Sequence, residues 1–283
     1  MAPPPGAAQP QLKSPVVPDR VVAVDWSGRA DDAGQRRHIW TAEVAGGELV
    51  ALAGGRTRAA LAQHLETLAG QHGRLAVGLD FSFSFPRWWL EERGWPDGPA
   101  AWSAAGEEGE AWLERCAPPF WGRPGRRRPG PDTSRPALRA TEEEVPATGG
   151  SRPSSTFQIG GAGAVGTASV RGMPLLARLR AAGFHVWPFD AQGWPLVVEI
   201  YPRVFTGPVR KSDPLARRRA LSERRPAIDP ALSELTVSSE DAFDAALSAL
   251  GMAARAHELA TLPHLTDRVS SLEGRMWRPG AWA

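Results

Sequence analysis

Val21-Val22-Ala23-Val24-Asp25-Trp26-Ser27-Gly28 and, further along the chain, Leu75-Ala76-Val77-Gly78-Leu79-Asp80 are the two segments that indicate the type of fold most clearly. Each is a short apolar run that stops at an aspartate, the pattern of a buried strand that ends at a polar turn. Between them, residues 38–52 alternate apolar and polar side chains around Gly46-Gly47, which predicts a β-hairpin. A helix capped by Thr57 follows. This order predicts a three-strand meander and then a right-handed crossover, which puts the fourth strand parallel to the first and beside it.

The rest of the chain continues an α/β pattern. Helices are predicted at about 169–182, 213–225 and 239–260, and strands at 184–189 and 196–200. Residues 1–18 are rich in proline and predict a disordered tail, which leaves 19–283 as a single domain. Within that domain, residues from about 86 to 155 are predicted to form an insertion that is Trp-rich at first and then becomes a flexible basic loop.

Composition excludes several classes of protein. The 283 residues are 42% hydrophobic and 23% charged, which is typical of a globular chain, and the single cysteine, Cys116, excludes an internal disulfide and a cysteine-rich zinc site. No stretch approaches the ~20 apolar residues of a membrane span, and residues 1–10 contain no apolar signal core. We therefore expect a cytoplasmic protein with no membrane partner. Only two of the 33 basic residues are lysines, so arginine is the main candidate for binding phosphate.

Five acidic residues are candidates for a metal site. Asp25 and Asp80 end two strands that we expect to be neighbours, ~4.8 Å apart. Glu199 lies inside an apolar strand, and Asp241 and Asp244 stand three residues apart on one side of a predicted helix. Hard oxygen ligands without histidine or cysteine favour Mg²⁺ or Mn²⁺, and two such ions can catalyse phosphodiester hydrolysis. Structural roles are the alternative: Asp25 could brace a turn and Asp241 could complement a helix dipole.

Several short motifs accompany these acids, namely Val24-Asp25-Trp26-Ser27-Gly28, Gly78-Leu79-Asp80-Phe81-Ser82-Phe83-Ser84-Phe85-Pro86, Phe157-Gln158-Ile159-Gly160-Gly161, Arg171-Gly172-Met173-Pro174-Leu175-Leu176, Val186-Trp187-Pro188-Phe189-Asp190, Glu199-Ile200-Tyr201-Pro202 and Asp241-Ala242-Phe243-Asp244-Ala245. Together they resemble a family of uncharacterised proteins predicted to be ribonuclease H-fold nucleases. The resemblance covers about residues 20–278 and is weakest over the insertion.

That resemblance implies a ribonuclease H-like mixed sheet with helices on both faces. It also implies a two-metal carboxylate site for hydrolysis of nucleic acid. The family's acidic positions fall on Asp25, Asp80, Glu199 and the Asp241/Asp244 pair, and we expect Asp25 to bridge two Mg²⁺ or Mn²⁺ ions. Asp80 and Glu199 would each hold one ion, and Asp244 or Asp241 would complete the second.

Three other functions remain open from the sequence. Gly161-Ala-Gly163-Ala-Val-Gly166 matches a dinucleotide-binding fingerprint, although the segment before it is short and polar for a first strand. The same glycines could instead form a loop whose backbone approaches phosphate. A phosphotransferase is compatible with Asp25-Trp26-Ser27-Gly28, because kinases of the same fold handle ATP phosphates at such a turn. A nucleic-acid-binding module without catalysis is the third alternative.

A basic stripe is the candidate for substrate binding. Arg217, Arg218, Arg224 and Arg225 are spaced to lie on one face of the predicted helix at 213–225, and Lys211 lies just upstream. Such a stripe could bind a nucleic-acid backbone, or it could be an ordinary solvated face. Ser27 completes the candidate substrate-binding set.

Tryptophans concentrate in the predicted insertion, at positions 88, 89, 95, 102, 112 and 121. They could stack unpaired bases, but a near-helical spacing for most of them favours packing.

Overall fold

The computed structural model describes residues 16–148, 150–224 and 228–282. Its strands are β1 (Arg20–Asp25), β2 (Trp40–Ala45), β3 (Glu48–Ala53), β4 (Leu75–Leu79), β5 (His185–Val186) and β6 (Leu196–Glu199). Its helices are α1 (Asp32–His38), α2 (Arg58–Gln71), α3 (Arg87–Glu92), α4 (Gly98–Arg115), α5 (Ala140–Glu144), α6 (Gly166–Ala181), α7 (Pro202–Thr206), α8 (Pro214–Arg224), α9 (Pro230–Ser238), α10 (Glu240–Ala253), α11 (Ala256–Ala260) and α12 (Arg268–Glu273). Within the described residues, none of these helices is long and apolar enough to cross a membrane.

The strands form one mixed sheet in the order β3-β2-β1-β4-β6-β5. β1 pairs antiparallel with β2, which pairs antiparallel with β3, so the predicted meander is confirmed. β4 pairs parallel with β1, with Val24 opposite Leu79, so the predicted crossover is confirmed as well. β6 and β5 extend the parallel half of the sheet. The chain therefore has an α/β fold, and the carboxyl ends of β1, β4 and β6 lie at one edge of the sheet.

Helices cover both faces of the sheet. Alternate residues of β1 point to opposite faces, as the pleat of a strand requires: Val22 and Val24 join one apolar cluster, and Val21 and Ala23 join another. The first cluster contains buried residues of α2, α4 and α6. The second contains the fully buried alanines of α10, whose small side chains let this helix lie close to the sheet. This close packing brings α10 near the strand ends.

The Trp-rich segment packs into the first of these clusters. Trp89 and Trp102 are almost completely buried, and the indole N–H of Trp102 donates to the Phe83 carbonyl at 2.7 Å. Phe85, at the end of the segment that follows β4, lies 4.4 Å from Trp89 between ring centroids. The packing interpretation of the tryptophans is thus confirmed. The segment belongs to the main core, so it does not form a small core of its own.

Short elements are where the sequence predictions differ from the structure. Helices α1, α7, α9 and α12 were not predicted, because elements of five to nine residues show little periodicity. The strand predicted at 184–189 is only two residues long; Trp187 still donates to Val197, but Pro188 has no N–H to continue the ladder. The helix predicted at 239–260 is divided into α10 and α11.

The predicted tail at 1–18 falls mostly outside the described residues, which begin at 16. Val17 is described, and its carbonyl accepts a hydrogen bond of 2.9 Å from Arg74 Nε. The predicted insertion contains α3, α4 and α5, and no helix lies between Cys116 and Arg139.

The turn after β1 is fixed against the start of α6. A Cβ on Gly28 would lie 2.7 Å from the backbone nitrogen of Ala168, and the indole N–H of Trp26 donates to the Ala168 carbonyl at 2.9 Å. Because the obstructing atoms are backbone, they cannot rotate away. The turn after β1 therefore requires glycine at position 28.

We expect Gly28→Ala to lower the free energy of unfolding by about 1–3 kcal/mol, the usual cost of overpacking. The matched control is Gly70→Ala in α2, where a Cβ meets no atom within 4 Å. That control should be neutral or stabilising, since alanine favours a helix over glycine by up to about 1 kcal/mol. Urea denaturation of both variants measures the difference, and equal stabilities would contradict the close approach.

Candidate active site

Asp25 and Asp80 lie side by side where β1 and β4 end. Asp25 is the last residue of β1, and Asp80 follows the last residue of β4. The backbone N–H of Asp80 donates to the Val24 carbonyl at 3.2 Å, which continues the parallel ladder to the aspartate itself. The sequence prediction that these two acids are neighbours is confirmed.

Asp244 joins them from α10. Ser239 caps this helix through a 3.0 Å bond from the Ala242 N–H to its hydroxyl, and the alanine face described above sits on the sheet. Asp244 is only 6% exposed. Lys211 Nζ binds Oδ2 of Asp244, whereas the buried Oδ1 has no hydrogen-bond partner in the described part of the chain. Burying a carboxylate oxygen without a hydrogen-bond partner costs free energy. Oδ1 of Asp244 is therefore a candidate ligand atom.

The pKa values of all three aspartates are raised, chiefly by burial and then by the charges of neighbouring carboxylates. Burial, and then the charges of Asp244 and Asp80, hold the pKa of Asp25 well above its ordinary value. Burial and the charge of Asp244 raise the pKa of Asp80 to about 8, and burial also raises the pKa of Asp244. Lys211 opposes each shift as the nearby cation. The positive charge of Lys211 is therefore too little to offset the burial of three carboxyl groups, and a further cation would stabilise their ionised forms.

Glu199 is placed differently from the prediction that it holds a metal ion. It ends β6 at the same sheet edge, but Arg139 binds both of its oxygens, with 2.9 Å from Nη1 to Oε2. The Phe83 N–H donates to Oε2 as well, at 2.8 Å. Because these donors use both oxygens, Glu199 is committed to an internal ion pair and is not available to bind metal in this arrangement.

Arg139 is the residue that sequence reasoning missed. It is fully buried, and its guanidinium also pairs with Glu142. Burial alone would lower the pKa of Arg139, but the charges of Glu142 and Glu199 outweigh it and raise this pKa above its usual range. Arg139 lies in a Pro- and Gly-rich segment, three residues before Glu142 but 60 residues before Glu199, so the sequence carries no local signal of its pairing with Glu199. Arg139 ties the end of β6 to the start of α5.

Asp241 and Ser27 lie beside the cluster but have other partners. Asp241 Oδ2 lies 2.8 Å from Nδ1 of His38, at the end of α1. Its charge still contributes to raising the pKa of Asp25. The Ser27 hydroxyl accepts from the Arg29 N–H at 3.3 Å. We therefore exclude Asp241 and Ser27 from the central group, which consists of Asp25, Asp80, Asp244 and Lys211.

The predicted basic stripe is not a free cationic surface. Arg217 is 4% exposed and donates to the carbonyls of Val237 and Lys211, so it fixes the backbone of Lys211. Arg218 binds Glu234 through both terminal nitrogens, and Arg224 donates to the Ala220 and Thr206 carbonyls. Arg225 lies outside the described residues. Helical spacing placed these arginines on one helix. It could not show that they already pair with other groups of the same chain.

The dinucleotide fingerprint lacks its structural context. Gly166 begins α6 as that motif requires, but the preceding segment forms only an isolated bridge between Gln158 and Trp121, where the motif needs a strand. The interpretation of these glycines as a dinucleotide-binding motif is therefore wrong for the described structure.

Within residues 16–148, 150–224 and 228–282, no three His, Cys, Asp or Glu side chains are placed to hold one metal ion together. Lys211 occupies one oxygen of Asp244 in this arrangement. No match to the chain was found among protein-family models, curated proteins or solved structures. The chemistry of the site itself thus carries the functional argument.

The stability of the metal-free protein should depend on pH through Asp80. Because its folded-state pKa, about 8, lies above the ordinary value of 3.8, the folded state holds this proton more tightly than the unfolded state. Its contribution to stability is complete below about pH 4 and is lost as the pH rises to about 8. We expect urea denaturation in chelator to show this fall, and Asp80→Asn to reduce its slope. An unchanged slope in the variant would contradict the assignment.

The Arg139 ion pairs should be essential to the fold. We expect Arg139→Gln to cost about 3–5 kcal/mol of unfolding free energy, because it leaves two buried carboxylates without a counter-charge. Arg135→Gln is the matched control, since Arg135 pairs with Glu92 at the surface, where such pairs contribute about 1 kcal/mol or less. Equal losses in the two variants, measured by urea denaturation, would show that the buried network is unimportant.

Proposed function

We propose that this protein is a Mg²⁺- or Mn²⁺-dependent nuclease that hydrolyses phosphodiester bonds at Asp25, Asp80 and Asp244. The observation that carries the proposal is the buried Oδ1 of Asp244, which has no partner among the described residues and belongs to a group of three aspartates with raised pKa values. Such a group is short of cations. Carboxylate oxygens are the ligands that Mg²⁺ and Mn²⁺ prefer.

The fold supports a ribonuclease H-like assignment. The strand order, with a three-strand meander followed by a parallel strand beside β1, is the arrangement that the sequence motifs implied. The acids of that proposed family fall at the ends of β1 and β4 and on α10, a helix from the far end of the chain. The proposal rests on this combination of strand ends and helix, because an α/β fold alone does not determine an activity.

The carboxylate oxygens of Asp25, Asp80 and Asp244 are the kind of donor that a divalent cation prefers, and binding one would require these side chains to move closer together than they are among the described residues. Bound metal ions would activate water and neutralise charge on the scissile phosphate. Asp25, between Asp80 and α10, is the candidate to bridge two ions, and Asp80 and Asp244 are the candidates to hold one each. Glu199 keeps Arg139 in place at the same sheet edge and has a positioning role in this proposal.

Lys211 connects the metal-free site to the substrate. Its ammonium partly compensates the aspartates when they have no other cation. Lys211 would release Asp244 if that carboxylate held a divalent cation, and its ammonium would then be available to pair with a phosphate oxygen. Arg217, which binds the Lys211 carbonyl, limits how far the lysine backbone moves. Lys211 thus retains its proposed part in substrate binding, while Arg217 holds it in position.

We expect the purified protein to cleave a nucleic-acid substrate with Mg²⁺ or Mn²⁺ and to be inactive in chelator. A panel of single-stranded, duplex and branched DNA and RNA should be assayed, with release of labelled fragments as the measurement. An intact panel at high protein concentration would contradict the proposal. Turnover of ATP in the same buffers would support the phosphotransferase alternative instead.

Substitutions of Asp25 and Asp244, with Asp241 as the control, distinguish a catalytic role from a structural one. Asp25→Asn should abolish cleavage and weaken Mn²⁺ binding by calorimetry, with no loss of melting temperature, because it removes like-charge repulsion. Asp241→Asn is the control, since this residue pairs with His38 and should keep most activity. Asp244→Asn should also abolish cleavage, but at a cost in stability, because it breaks the Lys211 ion pair. Full activity in Asp25→Asn would remove the aspartates from the reaction.

A further inference from the structure

A large cavity lies in the Trp-rich segment. Its volume is about 1190 Å³, somewhat above the range of about 300–1,000 Å³ that is usual for small-molecule sites. Its walls come from α3, from the segment after α4, from the loop before α5 and from Phe157. We call it the aromatic pocket; the residues that matter for its chemistry are Trp88, Arg93, Trp121, Arg128, Arg135 and Phe157. No part of the proposed nuclease site uses it.

Two indoles form rigid walls of the aromatic pocket. The indole N–H of Trp88 donates to the Pro136 carbonyl at 2.9 Å, and the ring lies 5.6 Å from that of Phe157. Trp121 is held by its backbone, which exchanges hydrogen bonds of 3.0 and 2.9 Å with Phe157 and Ile159. Trp121 is only 6% exposed, so it supports the wall, whereas Trp88 is partly exposed and fixed before a ligand arrives, so a flat aromatic group can stack on it with little ordering cost.

The lining of the aromatic pocket carries both signs of charge, with Glu92, Asp132 and Glu143 beside Arg93, Arg128 and Arg135, and the excess of positive charge lies in the adjoining loop. Residues 123–128, which we call the basic loop, contain four arginines and no acid. Arg128 lies over the Trp121 ring at 5.6 Å and contributes to the lining of the pocket. Arg135 lies over Trp88 at 5.4 Å but is already paired with Glu92. The basic loop, more than Arg135, therefore supplies charge for an anionic ligand.

We propose that the aromatic pocket and the basic loop bind single-stranded nucleic acid, with an unpaired base against Trp88 and phosphates at Arg126, Arg127 and Arg128. This extends the proposed nuclease function by naming its substrate class, and it rests on that function only for the biological role of binding. Bases in a duplex are already stacked and paired, so they cannot enter the pocket without melting. The described arginines of the predicted phosphate-binding stripe, Arg217, Arg218 and Arg224, already have partners within the protein, which favours the basic loop as the cationic surface for the backbone.

The test measures binding without catalysis. Fluorescence anisotropy with a labelled 12-nucleotide single strand and with its duplex, both in chelator, should show at least tenfold tighter binding of the single strand. The triple variant Arg126→Ser, Arg127→Ser, Arg128→Ser should bind at least tenfold more weakly. It should also reduce the salt slope by about 2, since each single-strand phosphate contact contributes about 0.7. Trp88→Leu should weaken binding about tenfold through lost stacking.

The matched control removes three arginines elsewhere. Arg74→Ser, Arg178→Ser, Arg180→Ser changes the net charge equally at residues that pair with surface acids, and it should bind as the wild type does. Equal weakening in both triple variants, equal affinity for duplex and single strand, or no binding by the wild type would overturn the proposal. Binding lost in the basic-loop variant alone, with no cleavage by any form of the protein, would support the pocket and contradict the nuclease.

Discussion

The parallel pairing of β1 with β4 is the constraint on which the rest of the structure depends. It places Asp25 and Asp80 at adjacent strand ends, where burial and mutual repulsion raise both pKa values. The close packing of α10 then adds a third aspartate to the same edge. A fold that only needed stability would avoid this arrangement, since apolar residues at these positions would remove the repulsion. Binding of a cation or a proton at this edge of the sheet would account for the presence of three neighbouring carboxyl groups.

The protein compensates its buried acids by two different means. Glu199 and Glu142 share Arg139 in a network that satisfies both oxygens of Glu199. Among the described residues, Asp244 is hydrogen-bonded to Lys211, a point charge on a flexible stem, and keeps one oxygen unpartnered, with Arg203 contributing only through its charge. The planar guanidinium of Arg139 binds both oxygens of Glu199 at once, which holds the first arrangement in place. The lysine makes the second arrangement exchangeable, which is why the aspartates, and not Glu199, form the proposed metal site.

The sequence predicted those parts of the fold and the site that depend on residues close together in the chain. Asp25 and Asp80 follow short apolar runs, so strand periodicity and the crossover rule together placed them as neighbours. Trp spacing likewise indicated packing. Partners distant in sequence left no such pattern: Arg139 finds Glu199 from 60 residues away, and Arg217 reaches the Val237 carbonyl across the α8–α9 connection. The sequence therefore shows which charges exist, and only the fold shows which of them are already neutralised.

The same Arg139 network links the two functional proposals. The loop that lines the aromatic pocket runs from Arg128 to Leu138, and the next residue, Arg139, inserts its guanidinium against Glu199 at the end of β6. Glu199 in turn accepts from the Phe83 N–H, in the segment that leaves Asp80. The pocket wall and the acidic strand ends are thus fastened to one another by buried, charge-assisted hydrogen bonds. A strand held in the pocket would be held by the same rigid frame that positions the aspartates, which is the pre-organisation that a hydrolytic site requires of its substrate.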